Sequence, residues 1–216
     1  MIGNIRAVIF DLDGTLIDSM SVWDKLLEDV MEKHGFSAPD IMIKKVAHMT
    51  LTQSSEYLVK EFPNFPMTPS EIREEWKSIV FDSYAHKIKL KKGAKEFIEY
   101  LKQNGIKIGI ATACEKNLLT ACLKNNQVYD MIDVFTYADE VGEGKQSPKV
   151  FLECLNRLEC DVENAVLFED ILVALNTAKE IGLKTVIVED DRAKPDREEL
   201  KLKANKYIVD FTELLN

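Results

Sequence analysis

In VIFDLDGTLIDS, residues 8–19, two aspartates stand two positions apart where an apolar run ends: Asp11 and Asp13. Like charges so close repel each other, and each loses hydration as the chain packs around it. A counter-charge therefore belongs beside them. Residues able to supply or share one come later in the chain: Thr112 in IKIGIATA, Lys145 in GEGKQSPK, and the acids Glu169 and Asp170 that end AVLFED. Three or four carboxylates in one cleft require a cation, and oxygen-only ligands suit Mg2+. Lys145 and Thr112 offer a positive charge and a hydroxyl of the kind that hold phosphate oxygens. A metal ion and a lysine together neutralise a phosphoryl group in transfer. On this reading the aspartate pair serves a metal and a phosphate.

Such distant residues meet only if the elements between them form a sheet with one active rim. The apolar run through Ile5, Ala7, Val8, Ile9 and Phe10 reads as a buried strand. Residues 20–87 then read as almost wholly helical, with Trp23, Leu26, Leu27, Val30 and Met31 at helical spacing. Ser21 with Asp24 forms a capping-box start, Gly35 a stop, and FPNFPMTPSE a break before a helix capped by Ser70. From residue 93 helices and strands alternate: a helix with Ala94, Phe97, Ile98 and Leu101 on one face, a strand through Thr112, and a helix over about 115–126. A strand over 134–137 follows, then a helix from Pro148, AVLFED, a helix to Gly182, KTVIVED, and a last short strand and helix in KYIVDFTELL.

Strands without polar alternation, each followed by a helix, predict an α/β fold with a parallel sheet covered on both faces. Ligands of such sheets sit at the carboxyl ends of the strands, where Asp11, Asp13, Thr112, Lys145, Glu169 and Asp170 all fall. The helical block is an insertion between the first two strands. The expected organisation is a core of residues 1–16 and 89–216 and a helical domain of residues 17–88, joined by two short crossings.

Composition narrows the function classes. The 216-residue chain is 46% hydrophobic and 30% charged, as in an ordinary globular protein. A net charge of −9 argues against binding nucleic acid or an anionic membrane through general electrostatics. No apolar run approaches the roughly 20 residues of a membrane span. The start of the chain carries no basic region or apolar signal segment, and Cys114, Cys122, Cys154 and Cys160 show no CxxC spacing. The expectation is a cytoplasmic monomer with reduced thiols, acting on a small phosphorylated metabolite.

DLDGT after an apolar strand, Thr112 ending the next, GKQSPKVF and LFED together resemble the four ordered motifs of the haloacid dehalogenase-like superfamily. The similarity covers nearly the whole chain and is greatest to the phosphoglycolate phosphatase and β-phosphoglucomutase-like branch. It implies a Rossmann-like core with an inserted α-helical cap, and Asp11 as the nucleophile that forms an aspartyl-phosphate. Asp13 would protonate the leaving group and later activate water. Mg2+ would be bound by the Asp11 side chain, the Asp13 backbone carbonyl and Asp170, with Glu169 a direct or water-mediated partner. Thr112 and the Ala113 amide would hold the phosphate and Lys145 would neutralise it. Trp23, His48 and Thr50 are the cap residues expected to face the substrate, although Trp23 also fits the apolar face of its own helix.

The sequence departs from the family pattern at several points. Gln146 and Lys149 replace a proline and an acid, Ile171 a hydroxyl residue, Ala174 a glycine, and Ala113-Cys114 stands where many phosphatases have Ser-Asn. Lys92 replaces a frequent proline at the second crossing. No primary group is lost. The implied activity is Mg2+-dependent hydrolysis of a small phosphomonoester, a sugar phosphate or a phosphoglycolate-like acid. The alternatives are a phosphosugar mutase, which would carry a cap histidine and arginine not found in SVWDK and HMTLTQSS, and a catalytically silent binding protein on the same fold. A dehalogenase would need neither Asp13 nor the Glu169–Asp170 pair.

Overall fold

The computed structural model describes residues 5–39, 41–43 and 51–215. They fall into two compact units, Met1–Asp18 with Ile88–Asn216, and Ser19–Lys87.

The larger unit is built on six strands: β1 (Ala7–Phe10), β2 (Lys107–Thr112), β3 (Val134–Tyr137), β4 (Ala165–Glu169), β5 (Lys184–Val188) and β6 (Lys206–Ile208). All neighbours pair parallel, in the order β3-β2-β1-β4-β5-β6. This is the expected Rossmann-like α/β sheet. The chain steps from β1 to β2 on one side and later returns to place β4 on the other, so β1 marks the point where strand order reverses.

Burial on both faces explains why these strands are apolar throughout. Ala7 and Ile9 of β1 join a core with Phe151, Leu155 and Leu158 of the helix Lys149–Leu158. On the opposite face the Phe10 ring meets Phe168, Phe211 and Phe97 with centroids 4.9, 6.0 and 6.2 Å apart. Each such buried side chain contributes about 1.5–3 kcal/mol, and together they fix where β1 ends. The predicted final helix is instead a 3₁₀ turn, Phe211–Leu214. Asp210 accepts a hydrogen bond from the Thr212 N–H at 2.9 Å, local side-chain bonding that competes with a continuing α-helix.

The smaller unit contains the helices Met20–Lys33, Leu51–Glu61 and Pro69–Asp82, with a π-helical turn over Ser83–Lys87. The first helix starts at Met20, ahead of the predicted Ser21–Asp24 box, and Ser19 at its N-cap position makes no capping bond because its backbone is already helical. Thr68, not Ser70, caps the helix Pro69–Asp82: its hydroxyl accepts from the Glu71 N–H at 3.3 Å and the Glu71 carboxylate accepts from the Thr68 N–H at 2.8 Å. Pro69 belongs at the first helical position, where an absent N–H costs nothing, so the helix begins before Ser70. Trp76 is buried and donates from Nε1 to the Leu26 carbonyl at 3.2 Å.

The two stretches that leave and re-enter the larger unit are tied together. Ile17 and Leu90 form an antiparallel bridge, the Asp18 N–H donates to the Lys89 carbonyl at 3.0 Å, and the Lys91 N–H to the Leu16 carbonyl at 2.9 Å. Among the described residues no helix is long and apolar enough to cross a membrane.

Candidate active site

Register places the acids. Phe10 lies opposite Ile110 of β2 on one side and Phe168 of β4 on the other. One residue further on, Asp11 and Glu169 are therefore level with each other, and Thr112 ends β2 at the same rim. The Asp11 N–H donates to the Phe168 carbonyl at 2.9 Å, which fixes its backbone before the chain turns. Gly14, at φ +80°, allows the turn, and its N–H donates to the Ile17 carbonyl at 3.1 Å.

Three buried carboxylates meet at this rim: Asp11, Glu169 and Asp170 each offer an oxygen within 4.8 Å of the others. Lys145, brought in by the loop after β3, is ion-paired with both Asp11 and Glu169. The second oxygen of Glu169 accepts the N–H groups of Asp170 at 2.8 Å and Ile171 at 3.1 Å. Glu169 thus holds Lys145 with one oxygen and the turn after β4 with the other. Thr112 is buried, and its hydroxyl oxygen accepts from the Cys114 N–H at 3.0 Å, which shapes the loop in which Ala113 is exposed.

A further hydroxyl, outside the residues expected from the sequence, joins the group. Thr15, wholly buried, donates from Oγ1 to Asp170 Oδ1 at 2.8 Å. The only available signal was its place in DLDGT, immediately after the turn glycine.

The electrostatics match the crowding. Burial, opposed by Lys145 and reinforced by Glu169, pushes the Asp11 carboxyl up to about 7. Burial with the charges of Glu169 and Asp11 raises Asp170 well above the ordinary carboxylate range. For Lys145 burial works against the charge, but the surrounding carboxylates outweigh it and hold the ammonium above its ordinary value.

The family model of haloacid dehalogenase-like hydrolases matches residues 8–188, a span that begins in β1 and ends with β5. The chain belongs to this family. It is 27% identical over 215 residues to hexitol phosphatase B of Escherichia coli O157:H7, covering 97% of this chain and 94% of that one. It is 25% identical over 188 residues to a phosphorylated carbohydrates phosphatase of Thermotoga maritima, covering 84% of each. A match of 27% over 182 residues to the bifunctional riboflavin kinase/FMN phosphatase of Arabidopsis thaliana covers 84% of this chain; the chain spans about half the length of that relative, 48%. Among solved structures, CbbY of Rhodobacter sphaeroides in complex with phosphate superposes with a TM-score of 0.75 at 23% identity, covering 97% of this chain and 96% of that one.

In this haloacid dehalogenase-like hydrolase the donor set fits a hard cation. The described site contains three buried carboxylates and a single lysine within ion-pair reach, so negative charge exceeds positive charge out of reach of bulk water. Oxygen-only ligands in that balance suit Mg2+. Of the remaining candidates, Asp13 is half-buried one residue beyond Leu12, its backbone bridged to Ile17. Trp23 belongs to the smaller unit, where its indole N–H donates to the Tyr84 hydroxyl at 3.2 Å. His48 and Thr50 lie outside the described residues.

Proposed function

We propose that this protein is a Mg2+-dependent phosphatase of small phosphomonoesters, sugar phosphates foremost, working through a phosphoryl group carried on Asp11. The observation that carries the reading is Lys145, ion-paired with Asp11 and Glu169 inside a buried cluster of carboxylates at the end of β1. A lysine so placed neutralises an incoming phosphoryl oxygen while keeping the nucleophilic carboxylate aimed. The similarity to hexitol phosphatase B and to a phosphorylated carbohydrates phosphatase supports a sugar phosphate as the substrate class.

Asp11 attacks phosphorus, forming a carboxylate oxygen–phosphorus bond as the bond from phosphorus to the leaving oxygen breaks. Asp13 gives its proton to that oxygen, so the alcohol departs neutral. A water molecule then attacks phosphorus and gives its proton to the Asp13 carboxylate. The bond to Asp11 breaks, which releases inorganic phosphate and restores the nucleophile. Proton transfer of this kind contributes about 10²–10⁴-fold. Thr112 and the Ala113 amide hold the phosphoryl oxygens together with Lys145. Asp11, Asp170 and the Asp13 carbonyl, with Glu169 adjoining, would hold Mg2+, which when bound supplies the further positive charge that phosphoryl transfer requires. The helical unit is read as the cap that selects the substrate, with Trp23 as its candidate contact.

A screen of sugar phosphates, phosphoglycolate and p-nitrophenyl phosphate tests the reading. Phosphate release that requires Mg2+, stops with EDTA and is absent in Asp11→Asn is the expected result. Release unaffected by EDTA contradicts it. So does glucose 6-phosphate forming from β-glucose 1-phosphate faster than free phosphate.

A further inference from the structure

The helix Lys116–Asn125 begins four residues after Thr112 and is followed at once by Asn126. Asn126 is not there for the left-handed conformation that asparagine tolerates at helix ends: its φ is −86°, and Gln127 takes the positive value, +61°. Its side chain has the specific task. Nδ2 donates to the Ile88 carbonyl at 3.0 Å and to the Cys122 carbonyl at 2.9 Å, while Oδ1 accepts from the Leu90 N–H at 3.3 Å. One amide thus grips two alternate residues of the extended stretch that re-enters the larger unit.

That stretch leads back to Asp13. Leu90 bridges to Ile17, and the Asp18 and Lys91 N–H groups donate to the Lys89 and Leu16 carbonyls. Ile17 in turn bridges to Asp13, donates its N–H to the Leu12 carbonyl at 3.0 Å, and accepts from Gly14. The amide is itself anchored one helical turn back, on the carbonyl of the wholly buried Cys122, so the end of the helix holds the Ile88–Leu90 stretch from a fixed point.

We infer that Asn126 is a positioning residue for Asp13: its amide fixes the Ile88–Leu90 stretch and, through Ile17, the turn that aims Asp13 at the leaving oxygen. The inference rests on the reading of Asp13 as the acid–base group. Small misplacements of a reacting group cost up to about a hundredfold, so an anchor linked to Asp13 through two backbone bridges is felt in the rate.

The test pairs Asn126→Leu, near in volume and without hydrogen bonds, with Asn126→Asp, which keeps the acceptor for Leu90 and loses the donor to Ile88. Asn126→Leu is expected to lower kcat for a sugar phosphate by about tenfold to a hundredfold. The loss is smaller for p-nitrophenyl phosphate, whose leaving group needs little protonation, and KM changes little; Asn126→Asp falls between. In an Asp13→Asn background Asn126→Leu adds nothing. Backbone amide exchange at Gly14 and Ile17 accelerates in Asn126→Leu, while that at Leu167 and Phe168 in β4 does not. Equal losses for both substrates, full additivity with Asp13→Asn, or unchanged exchange at Gly14 and Ile17 each overturn the inference. If Asp13→Asn itself costs nothing, the acid–base reading fails instead, and the exchange measurement still decides whether Asn126 holds the turn.

Discussion

The Thr15 hydroxyl donates to the Asp170 carboxylate at 2.8 Å across 155 positions of sequence, joining the turn after β1 to the turn after β4. Both residues are buried, so the bond is not shared with bulk water. It leaves Asp170 one fixed orientation at the place where the cation is proposed to sit. Such supporting partners tune a ligand's affinity by about 10–100-fold. Thr15→Val is therefore expected to raise the Mg2+ concentration for half-maximal activity by about tenfold, and Thr15→Ser to restore it. A Thr15→Val enzyme with an unchanged Mg2+ requirement contradicts this role.

Lys145 is the partner that makes the carboxylate cluster tolerable. Removing one member of a buried ion pair typically costs about 3–5 kcal/mol, because the other charges are left uncompensated. Lys145→Met should accordingly lose about that much stability in urea at pH 8 without metal. At pH 5 the loss should shrink, since Asp11 and Asp170 can take up protons. Equal destabilisation at the two pH values argues that Lys145 acts through packing alone.

The metal-free protein has a pH signature of its own. Asp11 rises from 3.8 when unfolded to about 7 when folded, and Asp170 shifts in the same direction. The folded state then binds more protons than the unfolded state between those values, so stability falls as pH increases. The contribution is fully present below about 4 and lost as pH passes through about 7. Thermal melts in EDTA should show Tm dropping from pH 5 to pH 7.5, and Mg2+ should raise Tm more at pH 7.5 than at pH 5. A flat profile, or a larger Mg2+ effect at pH 5, is inconsistent with the buried carboxylate cluster.

Gly93, which precedes the helix Ala94–Gln103, combines φ +77° with a close approach to the C-terminal turn: an added Cβ would lie 2.7 Å from the Thr212 nitrogen. Gly93→Ala meets both backbone strain and a clash with main chain, for an expected loss of about 1–3 kcal/mol. Chemical denaturation checks it, and a loss below about 0.5 kcal/mol, the range of a neutral surface change, shows that the turn can shift freely.

How much of this was legible in the sequence depended on how local each signal was. Asp11 and Asp13 announced themselves because a charge pair ending an apolar strand has few structural explanations. The order of helices and strands after residue 93 followed from hydrophobic periodicity, and with it the shared rim of Thr112, Lys145, Glu169 and Asp170. What stayed hidden was whatever depends on contacts between remote segments. Thr15 drew no assignment because its acceptor, Asp170, lies far along the chain. The double engagement of Glu169, Lys145 on one oxygen and two backbone amides on the other, has no signature in FED. Asn126 looked like a helix end, since its grip on Ile88 and Leu90 exists only once the chain has folded. The helix starts were missed by a residue or two because the helix from Met20 opens with no side-chain cap to mark it, and because Pro69 with the Thr68 cap moves the other start ahead of Ser70.

The proposed chemistry turns on Asp11 as the residue that carries the phosphoryl group. Asp13→Asn should keep the nucleophile and slow the attack of water on the intermediate; with p-nitrophenyl phosphate, whose leaving group needs little protonation, the intermediate still forms and therefore accumulates. The direct measurement is acid quench of Asp13→Asn after mixing with Mg2+ and p-nitrophenyl phosphate, followed by peptide mass spectrometry. A phosphoryl adduct is expected on the peptide that holds Asp11, located at Asp11 by fragmentation and absent from Asp11→Asn. Turnover by the wild-type protein with no adduct at Asp11 in either the wild type or Asp13→Asn, or an Asp11→Asn variant that still releases phosphate at the wild-type rate, contradicts it.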